Sequence, residues 1–289
     1  MRESRPRTHR DHYITACDVS RFCRIVENDE ICLHDNNTIS IRLWAAWLQE
    51  DGVEVFLKDK LDPPPPESGL SPDCFVLCIQ AEFQKDQFRK LGSDFVSIDA
   101  THNTTQYTGA QLYTLLVRDM WGHGVLCGTI LWVNYSLHTG VPVMWMLSSS
   151  RTQATITFFL NFVKARSPEI RPAIIMTDCN KAQMNAITAV YLALQLLLCW
   201  WHVLHAMQMH FHTEEFLDLW KCVWAWVKIA DKSKFDAWWE EMQANPSVPQ
   251  SFVDYLKVNW IPIIPLWSGS LRQGRMIFQE SDTNMLIES

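Results

Sequence analysis

Two aspartates stand out by what precedes them. Asp99 follows Phe-Val-Ser-Ile and Asp178 follows Ile-Ile-Met-Thr, each a run rich in apolar or β-branched residues. Such runs read as short strands that deliver a carboxylate at their C-terminal ends. If the two strands are neighbours in one sheet, the carboxylates sit side by side at its edge. Close carboxylates repel, and one must take up a proton unless a cation neutralises the pair. Hard oxygen ligands in that arrangement suit Mg²⁺ or Mn²⁺. Two such ions about 4 Å apart can clamp the attacking and leaving oxygens of a phosphodiester in an in-line displacement, and a third carboxylate usually completes such a site. The competing reading is local: an Asp after a strand also serves as a turn or helix-cap residue.

The elements that must hold these residues follow from the pattern. Phe95–Asp99, Leu112–Asp119, Val125–Asn134, Pro172–Asp178 and Leu196–Trp200 read as strands, with Met-Trp-Gly-His-Gly as a hairpin turn between the second and third. Thr152–Ala165 and Ala182–Leu194 read as helices, the first followed by Pro168. Upstream, Ser40–Glu50 has the apolar spacing of an amphipathic helix that ends at Gly52. Asp62–Pro72 is a loop, since its run of prolines supplies no backbone donors. Cys74–Leu91 reads either as helix or as strand then helix. Beyond His202 the pattern is helical to about Tyr255, broken at Asn245–Pro249, while Trp260–Pro265 is ambiguous. Hairpin-joined strands followed by alternating helices and strands predict an α/β fold: a mixed five-stranded sheet with helices on its faces.

Bulk composition narrows the classes. The chain has 289 residues, 48% hydrophobic and 20% charged, which excludes a disordered chain and allows a real core. Its net charge of −7 disfavours a purely electrostatic nucleic-acid binder, though not an enzyme that holds cations beside nucleic acid. No run reaches the roughly 18 apolar residues of a membrane span, and the basic start lacks the apolar run of a signal peptide. Nine scattered cysteines, several within apolar runs, fit a reducing compartment with buried thiols better than a disulfide framework.

Longer sequence words sharpen the reading. Asp99-Ala-Thr-His-Asn-Thr-Thr-Gln-Tyr107 resembles the first-acid motif of the Mutator-like (MULE) transposases, and Met176-Thr-Asp-Cys-Asn-Lys-Ala182 resembles their second-acid motif. Leu197-Leu-Cys-Trp-Trp-His-Val203 resembles the Cys-x-x-His signature after the next strand. Ser281-Asp-Thr-Asn-Met-Leu-Ile-Glu-Ser289 resembles the segment carrying the third acid, with Met285 where the family often has a second Asn. The region from Ser40 to Gln84 is also similar to the family's text upstream of the core. The resemblance implies an RNase H-like fold with a DDE-type site. In it Asp99, Asp178 and Glu288 would be catalytic and bind two Mg²⁺ or Mn²⁺ ions, and water or a 3′-hydroxyl would attack a DNA phosphodiester. It further implies DNA as the partner (element ends and target), a homodimer as one assembly, a nuclear location, no membrane and no small-molecule substrate. The implied domains are a leader and helical region over 1–92, a catalytic core over 93–202, an all-helical insertion over 203–267, and a shortened last core helix over 268–289. The second reading, from another class, is a domesticated regulator that binds DNA or protein without cutting. Because the sequence stops one residue past Glu288, weak or absent cleavage is expected.

Several residues carry weaker signals. Glu280 and Asp282 compete with Glu288 for the third position, whereas the insertion's Glu214, Glu215, Glu240 and Glu241 fit a solvated helix face. Cys199 and His202 have metal-pair spacing, with His205, His210, His212 and Cys222 nearby, but no second pair makes a convincing zinc site. Their alternatives are a buried thiol with a hydrogen-bonded histidine, or a His202 that orients a carboxylate or meets DNA. His102 is expected to fix the loop after its strand. Cys17, Cys23, Cys32 and His34 are too poorly spaced for a zinc finger. The tryptophans from Trp220 to Trp239 read as a helical core, with a base-stacking surface as the alternative.

Overall fold

The computed structural model describes residues 32–102, 109–118, 141–210 and 215–272. Helix α1 (Asn37–Glu50) is capped by Asn36, whose side chain accepts from the N–H groups of Thr38 and Ile39. Strands β1 (Glu54–Lys58) and β2 (Val76–Gln80) pair antiparallel across the proline-rich loop. Helix α2 (Glu82–Leu91) follows, so Cys74–Leu91 is strand then helix. Next come β3 (Phe95–His102), β4 (Gln111–Val117), β5 (Val141–Ser148), α3 (Gln153–Arg166), β6 (Ile174–Thr177), α4 (Lys181–Val190) and β7 (Gln195–Leu198). Helices α5 (Trp200–Gln208), α6 (Leu217–Val227), α7 (Lys232–Ala244), α8 (Gln250–Asn259) and the short α9 (Ile264–Trp267) complete the described chain. None of these helices is long and apolar enough to cross a membrane.

The fold is a mixed α/β sheet with flanking helices, but the sheet has seven strands where five were expected, in the order β1-β2-β5-β4-β3-β6-β7. Strands β1 and β2 extend the edge beyond β5. The described antiparallel partner of β4 on that side is β5, and the expected strand Val125–Asn134 lies outside the described residues. Proline is tolerated in β5 because Pro142 sits opposite Leu116, where the β4–β5 register shifts. Strands β3, β6 and β7 run parallel, and the other pairings are antiparallel.

Two apolar clusters hold the elements together. Val76, Val96, Ile98, Leu115, Met144, Ile156 and Phe159 belong to the first, where the sheet meets α3 and α4. The second gathers Val203, Trp226, Leu256 and Trp267 from the helical block around Leu198 at the end of β7. Trp226 stacks on Phe235 and Trp238, both at 4.9 Å between ring centroids. Its indole N–H donates to the Phe235 carbonyl at 3.2 Å, so the ring is buried without an orphaned donor. Met184 and Leu266 pack against both clusters and join them.

Candidate metal centre

The register of the parallel strands brings the carboxylates together. Phe95, Val96 and Ser97 of β3 stand opposite Ile174, Ile175 and Met176 of β6. Asp99 and Asp178 each lie two positions beyond the last of these pairs. Side chains alternate along a strand, so equal offsets return both to one face. Thr177 of β6 pairs with Leu198 of β7, and α5 begins two residues later, which places His202 in the first turn of that helix. One ligand atom from each of Asp99, Asp178 and His202 then lies within 4.8 Å of the others. Asp99 lies within β3, just past the last residue paired with β6, Asp178 directly follows β6, and His202 enters from the helix after β7.

Local contacts fix these groups. The Thr101 hydroxyl donates to Oδ2 of Asp99 at 3.2 Å. The Thr177 hydroxyl donates to Gln183 at 2.9 Å, tying the end of β6 to α4 in a buried pair. Asn180 caps α4 by accepting from the N–H groups of Ala182 and Gln183, which sets the turn that follows Asp178. The start of α5 is held from downstream. The Trp200 indole N–H donates to the Trp267 carbonyl. Arg272 donates to the carbonyl of Leu198, its guanidinium lying 4.6 Å from the Trp200 ring centroid.

The centre grades from buried to open. Asp99 is 4% exposed. The side chains of Asp178 and His202 are 15% and 22% exposed and face a cleft of about 510 Å³. Ala100, Thr101, Trp201 and His205 complete the lining. Nδ1 of His202 lies 3.2 Å from Oδ1 of Asp178, off the axis of a well-formed hydrogen bond. Burial pushes this imidazole down to about 4, with His205 adding a smaller effect in the same direction. Desolvation therefore outweighs the nearby carboxylate, and the ring is neutral near pH 7. Two carboxylates and a neutral imidazole form a donor set that can bind a divalent cation, with oxygen ligands of the kind Mg²⁺ and Mn²⁺ take.

Among the expected residues, Asp99, Asp178 and His202 meet in one cluster. Cys199 does not join them. Its fully buried thiol packs with Phe95 and Met176, so the Cys-x-x-His spacing separates a core thiol from an imidazole in the cleft. Glu288 lies outside the described residues, as do Glu280, Asp282, Cys17, Cys23 and the side chain of His102. Thr101 and Trp201 escaped the sequence reading, and His205 entered it only as a candidate zinc ligand. The available signal was the four-residue spacing of Trp201 and His205, which puts both on one face once α5 is in phase. Comparison with models of known protein families gives no match, and comparison with curated proteins gives none either.

Proposed function

We propose that this chain is the catalytic domain of a metal-dependent enzyme that acts on DNA phosphodiesters, RNase H-like in fold and of the DDE transposase type that its motifs resemble. The carrying observation is the convergence of Asp99 on β3, Asp178 just past β6 and His202 on the helix that follows β7. The strand order supports the reading. Setting aside the added β1 and β2, three antiparallel strands lead into two further strands parallel to the first of them, in the order β5-β4-β3-β6-β7.

In this reading Asp99 and Asp178 hold Mg²⁺ or Mn²⁺, and Glu288 completes a two-ion site. A bound divalent cation would activate the attacking hydroxyl and neutralise charge on the phosphate. The chain's own residues do the rest. Asp99, deepest in the cleft, anchors the site, and Thr101 orients it. Asp178 faces the open side, where a phosphate enters. His202, neutral, offers a nitrogen beside Asp178 without adding a like charge to the two carboxylates. Transposon ends and target DNA as partners, a nuclear location and a homodimer belong to the same proposal.

The test is Mn²⁺-dependent nicking of a supercoiled plasmid by the purified chain, alongside Asp99→Ala and Asp178→Ala. Weak nicking by the wild type, in line with the low activity expected of this sequence, that both substitutions abolish is expected. Equal nicking by all three proteins removes the enzymatic reading.

A further inference from the structure

The wall of the cleft beside the acidic cluster is aromatic. Trp201 and His205 lie one helical turn apart on α5, and both line the same cleft as Asp99 and Asp178. Their rings are stacked, with centroids 4.9 Å apart and planes 12° from parallel. Trp201 also meets His202 edge-on, at 4.8 Å and 83°. The indole is thus fixed between two imidazoles: one beside Asp178, the other on the rim. His205 is exposed, and its stack on Trp201 covers one face of its ring. Among the described residues no second ring stacks on His205, and it lines the cleft.

Helical geometry explains why this pair forms so near the acids. Residues four apart on a helix are neighbours, and the first turn of α5 already carries His202 to Asp178. The helix therefore presents a donor atom to the acidic cluster and, one turn on, an exposed flat ring that continues an existing stack. Polar recognition of a particular base would call for converging donors and acceptors. A flat aromatic face recognises any π-surface and is indifferent to sequence.

We propose that Trp201 and His205 form a stacking platform for an unpaired nucleobase next to the phosphate held at the acidic cluster. The inference rests on the proposed phosphodiester chemistry and deepens it. The substrate presents a single-stranded or extruded nucleotide at this point, because a base stacked within a duplex cannot also lie on His205. His205 acts here as a positioning residue. Trp224 supplies the contrast. It is also exposed, with the Lys228 ammonium 3.6 Å from its ring centroid, yet it does not line the cleft.

The experiment titrates the protein, in Ca²⁺, into single-stranded DNA oligonucleotides carrying the fluorescent base 2-aminopurine, whose emission falls when it stacks. Quenching on binding is expected for the wild type. His205→Ala should remove the quenching and weaken binding about tenfold, the effect of one lost base stack. His205→Phe should keep both within about twofold, and Trp224→Ala should match the wild type. The proposal fails if the wild type does not quench, if His205→Ala quenches as the wild type does, if His205→Phe is as impaired as His205→Ala, or if Trp224→Ala reproduces the loss. Plasmid nicking in Mn²⁺ by wild type and Asp99→Asn separates the two levels. Nicking lost in Asp99→Asn while quenching survives His205→Ala overturns the platform alone. Nicking unaffected by Asp99→Asn overturns the metal centre beneath it.

Discussion

Two places in the sheet bury charge, and they do so in opposite ways. At the β1 edge, Lys58 is 1% exposed, and its ammonium donates to the carbonyls of Pro72 at 2.6 Å, Cys74 at 2.9 Å and Asp59 at 3.2 Å. An ammonium has three donors, and here each has an acceptor. The buried charge staples the proline-rich loop onto β1. Within β3 and just past β6, two groups of like charge converge instead, with an imidazole beside them and open volume in front. A saturated buried charge holds structure together. Converging like charges cost stability until something of opposite sign arrives, and that marks a place where a ligand is expected.

The contrast can be broken in order of effect. Replacing Lys58 with Met strands three carbonyl acceptors and should lower the unfolding free energy by about 3 kcal/mol in urea titrations. A loss below about 1 kcal/mol would mean the staple is idle. In the other region the stabiliser comes from solution. Mn²⁺ at a hundredfold above its dissociation constant should raise wild-type stability by about 2.7 kcal/mol. Asp178→Asn should show almost none of that gain, and an equal gain in both proteins would place the cation elsewhere.

Thr101→Val should leave the fold intact and weaken Mn²⁺ binding about tenfold by calorimetry, because the hydroxyl that orients Asp99 is gone. Unchanged affinity would remove Thr101 from the centre. The smallest effect has the opposite sign to the first. In EDTA, Asp99→Asn should stabilise the chain by about 1 kcal/mol, since it relieves the repulsion between the carboxylates. Destabilisation of that size would show that the wild-type pair is already balanced without a cation.

Much of the region around the second charge cluster was legible in the sequence, because its signals are local. Apolar, β-branched approaches mark β3 and β6. Thr152 and Asn180 cap α3 and α4 by accepting from the first backbone N–H groups of each helix. The first charge region was not legible. β1 is five residues long at a sheet edge, and its burial does not alternate from one residue to the next. β5 carries Pro142 and several unbranched residues, and only the register shift opposite Leu116 makes room for that proline. Lys58 reads as an ordinary surface lysine until the loop folds back over it. His202 was visible as half of a Cys-x-x-His spacing. Its separation from Cys199 depends on the change from strand to helix at Trp200, which spacing alone does not reveal.

The hold of Arg272 on the last carbonyl of β7 spans 74 residues of chain. Closing a segment of that length costs more chain entropy than closing a local turn. The same guanidinium lies against Trp200, the first residue of the helix that bears the imidazole. A nascent chain halted near residue 210 would therefore carry all three donor side chains but not the arginine that ties the end of β7 to the segment after α9.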